Sequence, residues 1–344
     1  YQLPYWWAEE GQSVDLWLID YHGREAASRR DGELRVESTP VLGWRFFARW
    51  IGACFSRWSK RRPDVIVASG DCYIGLAAYL AAVLCGAKFV FDVYDRYDVF
   101  EGYRRVSGFD PLSFLLRRAW LVTFASAKVL DDLKPLTRRT LLVPNGVDLD
   151  RFRPMPMFES RKLFGLPETV SLVGYFGSME PERGIEDLIA AVAGLVADGL
   201  AINLVIGGKA DPDISFDYPW LHFLGNIPFE KMPAALASCD VLALPYRQGA
   251  FVDNASSCKI AEYIAVERPI LATRSPNLTQ NFPRQASQLS RLLATPGNVV
   301  ELGSCLRSQL EQRQLVDMPS DMDWQSISKR IVGAITAPDH TGRE

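Results

Sequence analysis

Two short, almost uninterrupted apolar runs constrain this chain more than anything else in it. Asp64-Val-Ile-Val-Ala-Ser69 and Ala87-Lys-Phe-Val-Phe-Asp-Val-Tyr94 flank a helical stretch, Tyr73 to Leu84, entered through Gly70. Strands this apolar are buried on both faces, and strand, helix, strand in that order is the unit of a parallel sheet covered by helices. The pattern continues with a helix from Pro111 to Trp120, a strand from Leu121 to Ala125, a helix from Ala127 to Leu133 and a strand from Thr140 to Pro144. A turn-rich passage, Pro144 to Phe152, interrupts it, and it restarts with Val170 to Phe176, a helix from Ile185 to Val196, and strands at Ile202 to Ile206 and Leu221 to Leu224. A helix from Lys231 to Ser238 then leads to the strand Asp240 to Tyr246. A chain of 344 residues is long enough for two such α/β domains. The expected division is 1–147, 148–320, and a closing segment 321–344 whose helix, Trp324 to Ile335, crosses back onto the first domain. Sheets of this kind place ligands beyond the carboxyl ends of their strands.

The start of the chain is less regular. A helical stretch, Tyr5 to Glu10, and a Gly11 stop come before the strand Ser13 to Asp20, so the strand that would normally open a doubly wound domain is missing. Gly32 to Pro40 reads as another strand. Gly43 to Lys60 reads as a helix carrying Trp44, Phe46, Phe47, Trp50, Phe55 and Trp58 among Arg45, Arg49 and Arg57, followed by Lys60-Arg61-Arg62. A helix packed on a sheet with snorkelling arginines is the preferred reading. An interfacial helix on an anionic membrane is the alternative, since it selects the same residues.

Composition narrows the classes further. A net charge of −3 leaves no basic excess to drive nucleic-acid binding. Cys54, Cys72, Cys85, Cys239, Cys258 and Cys305 are scattered without metal-binding spacing, as expected of reduced thiols in a cytosolic protein. His22, His222 and His340 are far apart, so no metal is expected. The longest apolar run, Tyr73 to Ala87, is too short to span a bilayer.

Three stretches hold the candidate chemistry. The first, Asn254-Ala-Ser-Ser-Cys-Lys-Ile-Ala-Glu262, follows a loop from Arg247 to Asp253 and opens a helix that ends before Pro269. Ser256 and Ser257 suit its cap, Lys259 adds a cation in the first turn, and Glu262 projects from nearly the same face. Such a helix start favours an anion, although a capped, charged helix of no special function has the same local grammar. The second is the loop Gly177-Ser-Met-Glu-Pro-Glu-Arg-Gly184, where glycines permit close backbone approach and Arg183 offers a planar donor to phosphate. The third is the acidic cluster Asp92, Asp95 and Asp98 at a strand end, equally readable as a solvated loop. No GxxxxGK[ST] or strand-borne GxGxxG is present, which argues against a P-loop or dinucleotide enzyme. From Asn277 to Asp323 the pattern is poor.

Taken in order, Pro144-Asn-Gly-Val-Asp-x-x-x-Phe152, Gly177-x-x-x-x-x-Arg-Gly184, Gly225-x-Ile-x-x-x-x-Met-Pro233 and Lys259-x-x-Glu-Tyr-x-Ala-x-x-Arg-Pro269 resemble the group-1 glycosyltransferases, the retaining family 4. That resemblance, specific from about Leu141 to Thr273, implies the GT-B fold: two Rossmann-like doubly wound parallel-sheet domains facing across a cleft. It implies a nucleotide-diphosphate sugar on the second domain, near Gly177, Gly184, Gly225 and Asn226, and neither metal nor cofactor. Arg183 and the N–H groups of Ser257, Cys258 and Lys259 would hold the diphosphate, and Glu262 the ribose. Two positions depart from the family: Ser178 stands where an arginine is usual, and Asn254 stands where relatives have the earlier of two glutamates. The Lys259 ammonium is the expected replacement for the missing charge. Asp95 is the residue expected to contact the acceptor or handle its proton. The acceptor would be a glycan, a glycolipid or a small molecule in cell-surface polysaccharide or glycolipid synthesis, and the enzyme cytoplasmic or on the inner membrane face. A GT-B epimerase and a catalytically silent GT-B partner protein are the alternatives.

Overall fold

The computed structural model describes residues 2–20, 27–40, 52, 62–99, 103, 105, 108–209 and 211–338. The proposed Gly43–Lys60 helix lies outside them, Gly52 apart. The chain forms two compact units: residues 1–125, 129–143 and 323–344 in the first, residues 126–128 and 144–322 in the second.

In the first unit, β4 (Val65–Ser69), β5 (Lys88–Val93), β6 (Leu121–Phe124) and β7 (Thr140–Leu142) pair in parallel and in sequence order. The helix Cys72–Cys85 starts on Asp71, whose carboxylate accepts from the amides of Tyr73 and Ile74, and stops at Gly86 in the left-handed region. With the helix Pro111–Arg118 it covers one face of the sheet, burying Phe91, Leu115, Leu116, Val122 and Phe124. The other face of the sheet takes the helix Trp324–Thr336. Its Ile327, Ile331 and Ile335, spaced four apart, pack on Val90, Leu121 and Val143. Lys88 Nζ donates to the Ile335 carbonyl (2.8 Å) and Arg139 to that of Ala334 (3.2 Å), placing two cations at the negative end of that helix. The opening segment forms a separate small sheet. There β1 (Val14–Asp20) runs parallel to β3 (Leu34–Pro40), and β2 (Ala27–Asp31), a strand with no clear sequence signal, pairs antiparallel with β3 across the turn at Gly32.

The second unit holds one six-stranded parallel sheet, β8 (Ser171–Phe176), β9 (Ile202–Gly207), β10 (Leu221–Phe223), β11 (Val241–Leu244), β12 (Ile270–Thr273) and β13 (Leu293–Ala294). Its spatial order is β10-β9-β8-β11-β12-β13. The chain winds outward from β8 in one direction and, after β10, outward from β11 in the other. The winding reverses between β8 and β11, the place in such sheets where ligands bind beyond the carboxyl ends of the strands. Buried Arg161 donates to Asp240 at the foot of β11 (2.6 Å), whose carboxylate also accepts from the Leu172 amide of β8 (2.7 Å), so one charged pair fixes the two strands in register.

Two stretches differ from the sequence reading. Arg247–Asp253 is not all loop: Ala250–Asn254 is a short helix, and after an extended break a second helix runs Cys258–Ala265. The weakly patterned region after Asn277 contains Pro276–Thr279, Pro283–Gln288 and the long helix Val299–Gln312. The last was marked by Asn298, whose side chain accepts from the Glu301 amide, and by Leu302, Leu306 and Leu310 on one face.

Candidate donor site

The site is built at the carboxyl ends of β8 and β11. From β8 the chain enters a tight loop through Gly177, at φ +139, where a Cβ would lie 2.2 Å from Lys259 Nζ. The Lys259 side chain therefore lies over the start of the loop. Its ammonium donates to the Tyr175 hydroxyl (3.1 Å) and sits 4.6 Å from that ring's centre, while Tyr175 donates to the Ser178 carbonyl (2.5 Å). The cation from the Cys258 helix is thus delivered beside Ser178. The loop ends at Gly184 in the left-handed region, where a Cβ would fall 1.8 Å from the Pro245 carbonyl oxygen at the end of β11. Only a glycine lets the two loops meet there.

Arg183, just before that glycine, lies over the rings of Tyr246 (5.4 Å) and Phe251 (5.2 Å), and its Nε donates to Glu180 (3.3 Å). Burial raises the Glu180 pKa, but hydrogen bonds from Ser178 and Arg183 outweigh it and hold the carboxyl below its usual range. Arg247 closes the far side of the loop pair by a fork onto Asp187 (2.7 and 2.8 Å) and a bond to Glu186 (3.1 Å).

Two cations in one place strain each other. Burial, and after it the charge of Arg183, push the Lys259 pKa down to about 8. Burial pushes Glu262 up to about 7, against the pull of Lys259 and a hydrogen bond with Cys258. A site in which burial depresses a lysine and raises a glutamate stores electrostatic stress, and an anionic ligand beside Lys259 relieves the lysine's part of it.

The sequence-derived residues fall into three groups. Gly177, Ser178, Arg183, Gly184, Lys259 and Glu262 converge at the winding reversal. Gly225 turns the chain after β10, its carbonyl accepting from Gly208 (2.8 Å), and Asn226 is exposed beside it. Cys258 is exposed at the helix start. Asn254 is 9% exposed; its Nδ2 donates to Ala250 (2.7 Å) and its Oδ1 has no hydrogen-bond partner. Ser257 is a correction. Its amide donates to Asn277 Oδ1 (2.9 Å) and its hydroxyl pairs with Tyr246 (3.1 Å), so it neither caps the helix by its side chain nor offers its N–H to a phosphate. Tyr175, Tyr246, Phe251 and Asn277, which support these groups, were not singled out from sequence because their roles depend on strand order.

In the first unit the acidic cluster divides. Asp92 accepts from Ser69 (2.7 Å) and Thr123 (2.5 Å), tying β5 to both neighbours, and Asp98 pairs with Arg96 (2.7 Å). Burial raises the Asp92 carboxyl, against hydrogen bonds from Thr123 and Ser69, and raises Asp95 as well. Asp95, half-buried after β5, is left as the candidate for chemistry. His222 bonds Asn203 (2.8 Å) within the second sheet. Among the described residues no group of histidine, cysteine and carboxylate side chains could hold a metal, and no helix is long and apolar enough to cross a membrane.

A crevice at a winding reversal, lined by a glycine loop and two cations, suits an anionic ligand on an α/β sheet. Solved structures match the fold over nearly the whole chain. Sucrose-phosphate synthase from Thermosynechococcus elongatus superposes with a TM-score of 0.67 at 18% identity, over 96% of this chain and 90% of that one. Anabaena HepE in complex with UDP-glucose superposes with a TM-score of 0.59 at 18% identity, over 87% and 81%. These neighbours establish the GT-B fold. In sequence, 2-deoxystreptamine glucosyltransferase from Streptomyces kanamyceticus is 26% identical over 321 residues, 85% of this chain and 80% of the relative. The family model described as glycosyl transferases group 1 matches residues 170–312, and that described as glycosyl transferase 4-like domain matches residues 1–146. The chain belongs to the group-1 glycosyltransferases and acts on nucleotide sugars.

Proposed function

We propose that this enzyme transfers a hexose from a nucleotide-diphosphate sugar, with UDP the first nucleotide to test, to an acceptor hydroxyl with retention of anomeric configuration. The observation that carries the reading is the convergence of Arg183, Lys259 and the Cys258 helix start on the crevice between β8 and β11. Cleaving a sugar–phosphate bond places negative charge on the departing diphosphate. Fixed cations and helix N–H groups, arranged before the reaction, stabilise that charge without reorganisation. Arg183 and Lys259 take the diphosphate together with the Cys258 and Lys259 amides, Glu262 accepts from the ribose hydroxyls, and the Asn254 Oδ1 accepts from a sugar hydroxyl. With retention the acceptor attacks the face from which the diphosphate leaves, and a diphosphate oxygen takes its proton, so no enzyme nucleophile is needed. Asp95 is assigned to acceptor contact.

The acceptor is a glycan, a glycolipid or a small molecule. The Streptomyces relative, a 2-deoxystreptamine glucosyltransferase, supports the small-molecule class. The glycolipid class would need a surface for lipid, and the helix Cys72–Cys85 exposes Tyr73, Leu80, Val83 and Leu84 with no charged residue along its length. The neighbouring helix Pro111–Arg118 ends on exposed Arg117 and Arg118, and Arg118 lines the same surface hollow as Val83, so an anionic membrane is the second proposed partner.

The deciding experiment is calorimetric titration with UDP, GDP, ADP and TDP, repeated with Glu262→Ala. The expected result is selective binding of one nucleotide, lost in the variant. If the folded protein binds none, the transferase reading fails in favour of a silent partner protein.

A further inference from the structure

The break between the two helices of the site is braced by side chains from distant parts of the second unit. The helix Ala250–Asn254 ends, Ala255 is extended (φ −79°, ψ 161°), and the next helix begins at Cys258. Breaking a helix inside a protein strands amides and carbonyls that water cannot reach, and each needs a partner. Here three asparagines from distant parts of the sequence supply them. Asn277 accepts from the Ser257 amide (2.9 Å) and donates to the Val252 carbonyl (3.2 Å). Asn281 donates to the Ala255 carbonyl (3.2 Å) while accepting from the Ala127 amide (2.8 Å). Asn145 donates to the Ser256 carbonyl (2.5 Å), and its own amide donates to the Ser256 hydroxyl (3.2 Å). Their exposures are 8% for Asn145, 0% for Asn277 and 8% for Asn281.

What these side chains hold is telling. Asn254 lies immediately before the break, and the Cys258 and Lys259 amides immediately after it. Every group expected to meet the sugar and the diphosphate on this side of the crevice therefore hangs on the same three residues of backbone, Ala255 to Ser257. Asparagine is suited to the task because its amide both donates and accepts and carries no charge. An aspartate in its place would accept equally well from Ser257 but would set a negative charge beside a diphosphate. The clamp also withdraws the Ser257 amide, which leaves Cys258 and Lys259 as the amides aimed at the anion.

We propose that Asn145, Asn277 and Asn281 are positioning residues of the donor site, which set the diphosphate-binding amides and Asn254 in one fixed register by clamping the break between the two helices. This rests on the donor reading above. The experiment compares the wild-type chain with Asn277→Ala, Asn277→Asp and Asn281→Ala. Each is titrated with the nucleoside diphosphate that the wild type binds and with the matching nucleoside, and amide exchange is followed across residues 252–260. The clamp requires the diphosphate affinity to fall about tenfold or more in Asn277→Ala, the size of effect expected when a buried amide loses its partner. It requires a larger fall in Asn277→Asp. Nucleoside affinity changes less than about twofold, because the loss lies in the phosphate contacts alone, and the Ser257 amide exchanges faster. Equal losses for nucleoside and diphosphate would mean general damage and would overturn the proposal, as would unchanged diphosphate affinity. If Asn277→Ala does not fold, Asn281→Ala, which leaves the Ser257 partner in place, carries the same comparison. A wild-type chain that binds no nucleoside diphosphate overturns the donor reading itself and the clamp's role with it, whereas binding that survives in all variants overturns the clamp alone.

Discussion

Replacing Gly177 by alanine tests the geometry of the site with one carbon atom. A Cβ there meets Lys259 Nζ at 2.2 Å and Cε at 2.5 Å, well inside the 3.0 Å that real contacts respect. The lysine must retreat by about 1 Å, and its hydrogen bond to Tyr175, worth about 1 kcal/mol, is lost. The backbone at φ +139 adds strain of about 1–3 kcal/mol for any residue with a Cβ. Together these give a destabilisation of the second unit of about 2–4 kcal/mol, or a fall in its melting temperature of roughly 5–15 °C. Donor affinity should fall as well, because the displaced ammonium is the cation beside Ser178. Urea unfolding followed by a probe in the second unit, with calorimetry for the nucleotide, measures both effects. The decisive comparison is the same substitution in a Lys259→Ala background, where the steric part should vanish and only the backbone part remain. An equal cost in both backgrounds would refute the contact argument, and an alanine variant as stable as the wild type would refute the strain argument too.

Two further expectations concern pH and the membrane. Glu262, raised from 4.5 to about 7, contributes stability at acid pH that is lost as pH rises through 7. Lys259, lowered from 10.5 to about 8, contributes stability above 10.5 that is lost as pH falls through 8. The pair therefore makes the second unit least stable near pH 7–8, and chemical denaturation across pH should show this dip flattened in Lys259→Met/Glu262→Gln. Parallel wild-type and variant profiles would dismiss the assignment. Nucleotide binding at pH 8 should also take up protons as the added negative charge restores Lys259, and calorimetry in buffers of different ionisation enthalpy counts them. For the membrane, the protein should sediment with phosphatidylglycerol vesicles more than with phosphatidylcholine, and Leu80→Asn/Leu84→Asn or Arg117→Glu/Arg118→Glu should weaken this. Sedimentation of the wild type with neither lipid at about 0.1 M salt, where screening has a range of about 10 Å, would remove the membrane from the list of partners.

The repeated apolar strands made the parallel sheets legible, because full burial on both faces leaves little else for Val-Ile-Val-Ala or Val-Leu-Ala-Leu to become. The glycine loop and the Lys259–Glu262 pair could be marked as candidates for a similar reason: each gathers its polar groups within a few consecutive residues, and the structure brings them together. What could not be read is whatever depends on partners distant in sequence. Ser257 has the composition of a phosphate-facing cap, and only the arrival of Asn277 from twenty residues away takes its amide out of that role. Asp92, Asp95 and Asp98 look equivalent in a string, yet Ser69 and Thr123 on neighbouring strands engage one and Arg96 another. The helix Val299–Gln312 was missed for a different reason. Its buried face carries Gly303 and Gln309 among Leu302, Cys305 and Leu306, so the apolar periodicity is diluted although its cap is clear.

The helix Trp324–Thr336 gives the chain an order of assembly. It belongs to the first unit but is made only after the whole of the second. During synthesis the sheet face formed by Val90, Leu121 and Val143, which Leu3 and Trp7 of the opening helix also meet, waits without its last helix while about 180 further residues emerge. The second unit, contiguous from Pro144 to Met322 apart from three residues, can close first, so maturation runs from the middle of the chain outward. Removing the last helix would then leave the second unit folded beside a first unit with an open apolar sheet, a species prone to aggregate rather than simply an inactive enzyme.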